Sequence, residues 1–218
     1  MSLELYAHPF SSYCQKVLVA LYENAIPFEM RVLGGDQKIA AEHERLWPLR
    51  KMPVLVDDGR PVVEASIIIE HLGLFHPGPV RFIPDDPKAA LDVRMMDRFF
   101  DNYVMTPMQR IVADFMRPPE RRDPQTVEEA HALLDQAYRW LDGTLAGRPW
   151  ASGAAISLAD CAAAPALFYS DWVHPVDEAL GNLRAYRRRL LAWPSFARAV
   201  DEARPFRHFF PPGAPDRD

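Results

Sequence analysis

The strongest constraint on the fold is a serine-rich junction between a short apolar run and a helix-patterned segment. Residues 3–7 alternate as a β-strand does, and residues 12–24 carry apolar side chains at helical spacing. Ser11 and Ser12 stand at the joint, where a serine oxygen can accept hydrogen bonds from the free N–H groups of a helix start. A helix N-terminus also favours an anion such as a thiolate. The junction, with Cys14 one turn into the helix, therefore favours an anion site.

The residues after this junction continue to alternate between strand and helix patterns. An alternating run at 28–33 is typical of a second strand, and the polar stretch around 42–45 is typical of a short irregular helix. The apolar runs 54–56 and 61–63 flank an Asp/Gly turn and predict a β-hairpin, after which 65–72 is helix-patterned. The predicted order is β-α-β-α-β-β-α, and its first strand–helix–strand unit should have a right-handed crossover.

A proline-rich stretch divides the chain into two predicted domains. Residues 1–76 form the first domain, residues 77–86 the linker and residues 87–218 the second domain. Asp86 is a candidate N-cap behind which Pro87 occupies the first position of a long helix. No strand-like alternation follows, so the second domain is expected to be entirely helical.

The segment from Ser11 to Val17 resembles the active-site segment of the cytosolic glutathione S-transferases and their glutaredoxin-like relatives. In the serine-type transferases the first position of this motif is a serine that donates a hydrogen bond to the glutathione sulfur. Ser11 falls on that position, Ser12 is the second candidate, and Cys14 falls on the second cysteine of the redox-active members. The resemblance implies a thioredoxin-like first domain, an all-helical second domain, and glutathione as cosubstrate.

The resemblance also assigns glutathione contacts to the residues before the third strand. Pro53 matches a proline that is cis in thioredoxin-like families, which leaves the main chain of Met52 free to pair with an extended peptide. Lys51 occupies the place where several members hold the glycine carboxylate of glutathione. The alternatives are that Pro53 only begins a strand and that Lys51 is only a solvated surface residue.

The start of the third helix resembles the transferase signature Glu-Ser-x-x-Ile, which holds the γ-glutamyl group. Glu64 matches the acid that receives the ammonium, and Ile68 matches the apolar position. Ala65 stands where the family has the serine that holds the carboxylate. Ser66, roughly 100° further around the helix, is the replacement candidate, and the alternatives are a plain N-cap or the Ala65 N–H acting with a water.

The second domain supplies candidates for a substrate pocket and for helix starts. In these transferases the fourth helix lines a pocket for the electrophile, which makes four side chains candidates although such residues are most often core: Tyr103, Met105, Phe115 and Met116. A capping box at 126–129 is expected to open one helix, and a second, from Ser157 to Asp160, resembles the buried cap of the transferases. The aromatic tail 206–211 is expected to fold back over the domain junction.

Composition excludes several functional classes. The net charge of −5 argues against a nucleic-acid binder. No apolar run of about 18 residues and no leader pattern is present, so neither a membrane segment nor export is expected. Two distant cysteines, Cys14 and Cys161, do not form a disulfide framework and fit a reducing, cytoplasmic environment. The seven histidines show neither His-x-His nor His-x3-His spacing, so no metal is expected.

Three functions compete. The first is a glutathione transferase that activates the thiolate and conjugates it to a small hydrophobic electrophile. The second is a carrier or regulator that keeps the glutathione site without turnover, an alternative that the departure at Ala65 leaves open. The third is a thiol–disulfide oxidoreductase using Cys14, which lacks the first cysteine of the redox motif. The resemblance further implies a homodimer.

Overall fold

The computed structural model describes residues 3–218. Four strands and nine α-helices follow one another within those residues: β1 (Leu3–Ala7), α1 (Ser12–Glu23), β2 (Glu29–Val32), α2 (Gln37–Leu46), β3 (Val54–Asp57), β4 (Arg60–Val63), α3 (Ala65–Phe75), α4 (Pro87–Phe99), α5 (Thr106–Phe115), α6 (Pro124–Thr144), α7 (Leu158–Val173), α8 (Gly181–Leu191) and α9 (Pro194–Ala203). A π-helical segment, Phe100–Met105, joins α4 to α5. The predicted order of a β-α-β-α-β-β-α unit followed by helices alone is confirmed.

The sheet has the strand order β2-β1-β3-β4. Strand β1 runs parallel to β2 and antiparallel to β3, with Leu5 opposite Met30 on one side and Leu55 on the other. Because α1 connects β1 to β2, the two strands can run in the same direction. The hairpin from β3 to β4 turns through Asp58 and Gly59, both at positive φ. The central strands β1 and β3 are the most buried.

Helix α1 is packed by both halves of the chain. Val17, Leu18 and Leu21 are completely buried in one continuous core that includes side chains of α3, α7 and α9. At its C-terminal end the Glu23 carboxylate accepts a hydrogen bond from the Trp193 indole at 2.6 Å. Helix α1 is therefore held by the second half of the chain as well as by its own sheet.

The long helix that was predicted to begin at Pro87 is α-helical only as far as Phe99. Asp86 caps α4 by accepting from the Ala89 N–H at 2.8 Å, with Pro87 at the first position as predicted. The α-helical pattern stops at Phe99 because Pro107 has no N–H to continue the ladder, and the turns before it widen into the π-helical segment. The domain division at 77–86 remains a prediction.

The two predicted capping boxes had different outcomes. The prediction that α6 opens at 126–129 is wrong, because the Asp123 carboxylate accepts from the N–H groups of Gln125 and Thr126 and Pro124 occupies the first helical position. The box from Ser157 to Asp160 is confirmed at the start of α7.

The aromatic tail folds back as predicted. Residues 204–209 form a short 3-10 helix, and the Phe206 ring packs edge-on against His8 with centroids 4.8 Å apart. The following Phe210 is buried against Trp172. The end of the chain thus covers the loop that precedes α1. Within residues 3–218, the structure contains no helix that combines the length and apolarity needed to span a bilayer.

Candidate active site

Ser11 is the residue before the first turn of α1. Its main chain is extended (φ −81°, ψ 125°), its N–H donates to the His8 carbonyl at 3.0 Å, and its carbonyl accepts from the Gln15 N–H at 2.9 Å. The side chain makes no capping hydrogen bond. The first-turn N–H groups and a partly exposed hydroxyl therefore converge at one helix end, which is the arrangement that favours a bound anion.

Ser12 and Cys14 are less accessible than Ser11. Ser12 is buried, and Cys14 is completely buried. Burial raises the pKa of the Cys14 thiol to about 11, although a hydrogen bond from Ser11 acts in the opposite direction. The thiolate is the nucleophilic form of cysteine. Cys14 thus has neither the exposure nor the low pKa that a redox-active cysteine needs.

Helix α7 holds the loop that leads into Ser11. The Gln15 amide donates to the Pro9 carbonyl at 3.0 Å and to the Tyr169 hydroxyl at 3.1 Å. The Tyr169 hydroxyl in turn donates to the Phe10 carbonyl at 2.9 Å. Two main-chain carbonyls of the loop are thereby fixed by buried side chains, which orients the residue that follows them.

A polar cleft of about 570 Å³ opens beside Ser11. Its wall is formed by residues from both halves of the chain: Ser11, Tyr13, Trp47, Arg50, Lys51, Met52, Pro53, Glu64, Ala65, Arg98, Asp101, Asn102 and Gln109. Six of the eight residues predicted for catalysis or glutathione binding are among them. Ser12 and Ser66 are absent from this wall.

Met52 presents main-chain groups to the cleft. The peptide bond between Met52 and Pro53 is cis. The Met52 N–H and C=O form no hydrogen bond with any other residue between 3 and 218. The preceding carbonyl, that of Lys51, lies 3.0 Å from the His43 ring nitrogen and is thereby fixed. An unpaired main-chain donor and acceptor beside a cleft can bind an extended peptide as an added strand.

Glu64 and Ala65 bring a second helix N-terminus into the same cleft. Glu64 precedes α3 with φ at +70°, an unfavourable conformation for a residue with a side chain. Its carbonyl accepts from the Ile68 N–H at 2.8 Å, but its carboxylate does not cap the helix. The cleft therefore offers one acid and a row of first-turn N–H groups to the same end of a ligand.

Ser66 belongs to a buried ionic cluster behind this wall. Its hydroxyl donates to Asp97 at 2.8 Å and accepts from the Lys16 ammonium at 3.0 Å. Lys16 is fully buried and pairs with Asp97 at 2.6 Å and with Asp101 at 2.8 Å. Burial raises the pKa of the Asp101 carboxyl, and the neighbouring Lys16 acts against that rise. The hypothesis that the Ser66 hydroxyl replaces the family serine at Ala65 is therefore not supported, because Lys16, Asp97 and Arg98 already engage this hydroxyl and Ser66 does not line the cleft.

An apolar cleft adjoins the polar one. It is lined by Phe10, Ser11, Ser12, Tyr13, Met108, Gln109, Val112, Ala113, Met116, Tyr169, Phe209, Phe210 and Pro211. Ser11, Tyr13 and Gln109 line both clefts. Burial raises the pKa of Tyr13 to about 12, so its hydroxyl stays protonated at the boundary.

Only one of the four predicted pocket residues lines the apolar cleft. Met116 does, whereas Met105 is buried in the core, Tyr103 packs against Phe99, and Phe115 lies under the Arg122 guanidinium. The four candidates came from the resemblance, in which the fourth helix lines the pocket; Tyr103 and Met105 lie in the π-helical segment, which differs from a regular α-helix in the directions of its side chains.

Several lining residues were missed by the sequence analysis. Met108 and Val112 lie one helical turn apart on α5, a spacing that would have indicated a common face. Phe209 and Phe210 belong to the tail that was expected to fold back over the domain junction, and both line this cleft. Arg98 and Asn102 carry no local motif, because α4 and the segment after it reach the cleft only through the tertiary fold.

Comparison with known proteins places both halves of the chain in one family. Residues 5–79 match the family described as glutathione S-transferase, N-terminal domain, and residues 124–189 match glutathione S-transferase, C-terminal domain. The chain is 28% identical over 208 residues to glutathione S-transferase theta-1 of Bos taurus, covering 88% of this chain and 81% of the relative. The human theta-1 enzyme is 29% identical over 213 residues, covering 88% and 83%.

Solved structures with glutathione ligands share the fold. A glutathione S-transferase of Methylobacillus flagellatus with glutathione bound superposes with a TM-score of 0.81 at 27% identity, covering 91% of this chain and 98% of that one. One from Methylobacterium radiotolerans, in complex with glutathione sulfonate, has a TM-score of 0.79 at 27% identity, covering 92% and 95%. With both domain families matched in order, the chain belongs to the cytosolic glutathione S-transferase superfamily.

Proposed function

We propose that this protein binds glutathione in the polar cleft, activates its thiol at Ser11, and conjugates the thiolate to a small apolar electrophile. The observation that carries the proposal is the position of Ser11, which lines both the polar and the apolar cleft at the N-terminus of α1. A sulfur beside this hydroxyl would face an electrophile in the apolar cleft. Phe10 and Met108 give that cleft the apolar wall that such a substrate needs.

The polar cleft suits the charges of glutathione. The γ-glutamyl ammonium is assigned to Glu64, and its carboxylate to the first-turn N–H groups of α3 at Ala65. The cysteinyl unit would pair with the main chain of Met52, and Lys51 would meet the glycine carboxylate. Arg50, Lys51 and Arg98 outnumber the acids Glu64 and Asp101 on the wall, as a ligand with two carboxylates and a thiolate requires.

Ser11 supplies the stabilisation that a thiolate needs at neutral pH. A free thiol has a pKa of about 8.5, and each unit of depression needs about 1.4 kcal/mol of preferential binding of the anion. One hydrogen bond from a hydroxyl to a charged acceptor contributes ~1.5–3 kcal/mol, enough for about one to two units. The thiolate then forms a carbon–sulfur bond with the electrophile, and the leaving group departs with its electron pair.

The test compares Ser11→Ala with Ser12→Ala as the matched control. Glutathione binding is measured by calorimetry, the thiol pKa by the ultraviolet absorbance of bound thiolate, and turnover with a chloronitroarene. Ser11→Ala should keep glutathione affinity within about threefold, raise the bound thiol pKa by about one to two units and lower turnover at pH 7 by at least ~10-fold. Ser12→Ala should leave the pKa unchanged. Equal pKa values in wild type and Ser11→Ala would refute the assignment.

A carrier without turnover is the second candidate, and one observation favours it. Ala65 replaces the family serine, and the nearby Ser66 hydroxyl is committed to Asp97 and Lys16. The cleft thus lacks a serine hydroxyl where the γ-glutamyl carboxylate is assigned. Tight glutathione binding with an unshifted thiol pKa and no conjugation of any electrophile in a panel would support the carrier over the transferase.

We also propose that the protein is a homodimer. Helices α3 and α4 are linked by a salt bridge between Arg94 and Glu70 at 2.6 Å and by the Ser66–Asp97 hydrogen bond. Both expose large apolar side chains, Ile67 and Leu74 on α3 and Leu91 and Met95 on α4. Apolar residues clustered on adjoining helices indicate a protein–protein interface. A second copy of the chain is the partner that the resemblance implies.

A further inference from the structure

Two histidines and an aspartate converge at the end of β3 that lies away from Pro53. Asp57 is the last residue of β3, His71 lies in α3, and His76 follows the last residue of that helix. The Nε2 atoms of His71 and His76 lie 2.8 and 2.7 Å from the same oxygen, Oδ2 of Asp57. One ligand atom from each of the three residues lies within 4.8 Å of the others. We propose that Asp57, His71 and His76 form a binding site for a divalent transition-metal ion such as Zn²⁺.

The end of α3 creates this convergence. Five residues correspond to roughly 140° around a continuing helix, so His71 and His76 would point apart if the helix went on. His76 instead leaves the helix with φ −133° and ψ 54°, while its N–H still donates to the Leu72 carbonyl at 2.8 Å. This turn returns the His76 ring to the carboxylate that His71 already contacts.

The donor set matches a zinc-type ion. Neutral imidazole and carboxylate together suit Zn²⁺, Cu²⁺ and Ni²⁺, whereas Mg²⁺ and Ca²⁺ prefer oxygen ligands alone. Bond lengths of about 2.0–2.2 Å place the ligand atoms of a tetrahedral site ~3.3 Å apart. The nitrogen–oxygen separations of 2.7 and 2.8 Å therefore need to open by about half an ångström, which small side-chain rotations supply.

The three side chains are mostly buried but remain accessible to an ion from solvent. The side chains of His71, Asp57 and His76 are 13, 14 and 16% exposed. The His71 ring packs against Phe75 at 4.6 Å, which restricts its orientation. None of the three lines the cleft beside Ser11. A bound ion would join the end of β3 to the last turn of α3 and leave a fourth position for water.

The sequence-based expectation of no metal rested on the spacing of histidines alone. The third ligand comes from a strand end 14 residues before His71, and the two histidines follow a spacing that a continuous helix would separate. The site is visible only once the hairpin and α3 are packed together.

The test uses untagged, chelator-treated protein titrated with Zn²⁺ by calorimetry. Wild type should bind one equivalent with micromolar affinity, and Zn²⁺ should raise its melting temperature because it binds the folded state. His71→Gln and His76→Gln should each weaken binding by at least ~10-fold. Glutamine can still donate to Asp57, so both variants should fold, and unchanged circular dichroism without metal verifies that.

The matched control is His131→Gln. His131 belongs to the other histidine pair, with its Nδ1 atom 3.0 Å from that of His174. This variant should keep wild-type Zn²⁺ affinity. Electron paramagnetic resonance of the Cu²⁺ form should show two nitrogen ligands in wild type and one in His71→Gln. Absence of saturable binding at millimolar Zn²⁺, or loss of binding in His131→Gln but not in the other variants, would overturn the proposal.

Discussion

At the scale of single residues, Glu64 combines conformational strain with a role in the candidate site. A non-glycine residue at φ +70° costs about 1–3 kcal/mol, part of which comes from its Cβ. Glu64→Gly removes that crowding but adds about 0.5–1 kcal/mol of backbone entropy in the unfolded chain. We expect the free energy of unfolding to stay equal or rise by up to ~2 kcal/mol in urea titrations. Glutathione affinity, measured by calorimetry, should fall by at least ~10-fold.

Ala25→Gly is the control for this prediction. Ala25 has φ +49° and does not line the polar cleft. Ala25→Gly should relieve the strain of this positive φ and leave glutathione affinity unchanged. A Glu64→Gly protein that is clearly less stable yet binds glutathione normally would show that Glu64 serves the fold and not the ligand.

The same scale shows what a motif can and cannot predict. Ser11, Pro53 and Glu64 follow from short local patterns, and all three line the polar cleft. The direction of the Ser66 hydroxyl does not follow from such a pattern, because its partners Lys16 and Asp97 lie 50 and 31 residues away. A side chain next to a motif can form hydrogen bonds with charged residues that only the tertiary structure brings near.

At the scale of secondary structure, α7 depends on one buried carboxylate. Asp160 accepts from the Ser157 N–H at 2.8 Å, the Ser157 hydroxyl at 2.9 Å, the Ala151 N–H at 2.8 Å and the Tyr186 hydroxyl at 2.6 Å. Asp160→Asn places an amide NH₂ where an oxygen accepts from these donors and removes the charge. Because one of the two backbone N–H donors then loses its acceptor, we expect the free energy of unfolding to fall by ~1–3 kcal/mol, measured by urea denaturation.

Asp123→Asn gives the matched comparison. Asp123 caps α6 at an exposed position, and asparagine is also a good N-cap. The free energy of unfolding of Asp123→Asn should fall by less than ~1 kcal/mol. Similar losses in both variants would contradict the view that burial, and not capping as such, makes Asp160 important.

The start of a helix was predictable where the sequence offers only one candidate cap. Asp86 with Pro87 and Ser157 with Asp160 are unambiguous, and both helices begin there. Helix α6 had two acceptable starts three residues apart, and the aspartate–proline pair prevailed over the threonine–glutamate box. The π-helical segment has no sequence signature beyond Pro107, and Tyr103 and Met105, the two pocket candidates within it, do not line the apolar cleft.

At the scale of the whole molecule, α1 connects the two halves of the chain. Ser11 directly precedes its first turn, Gln15 donates a hydrogen bond to Tyr169 of α7, and Glu23 accepts one from Trp193. The apolar cleft draws on both halves, which is why the sequence of either half alone does not define it. The pattern of strands and helices predicted the layers of the fold, whereas the contacts across α1 depend on residues more than 150 positions apart.

The proposed dimer follows from the same distribution of surfaces. Leu91 is 66% exposed on α4, and it would be buried if this helix met a second copy. Leu91→Glu would then bury a charge without a partner, at a cost of ~2–4 kcal/mol, and should weaken self-association by about 30- to 1,000-fold. Leu49→Glu is the matched control, because Leu49 is also 66% exposed but lies outside both helices. Sedimentation velocity should show twice the mass of one chain for wild type and Leu49→Glu, and a single chain for Leu91→Glu. A wild type that sediments as one chain at micromolar concentration, or a Leu91→Glu variant that still pairs as wild type does, would place the interface elsewhere or remove it.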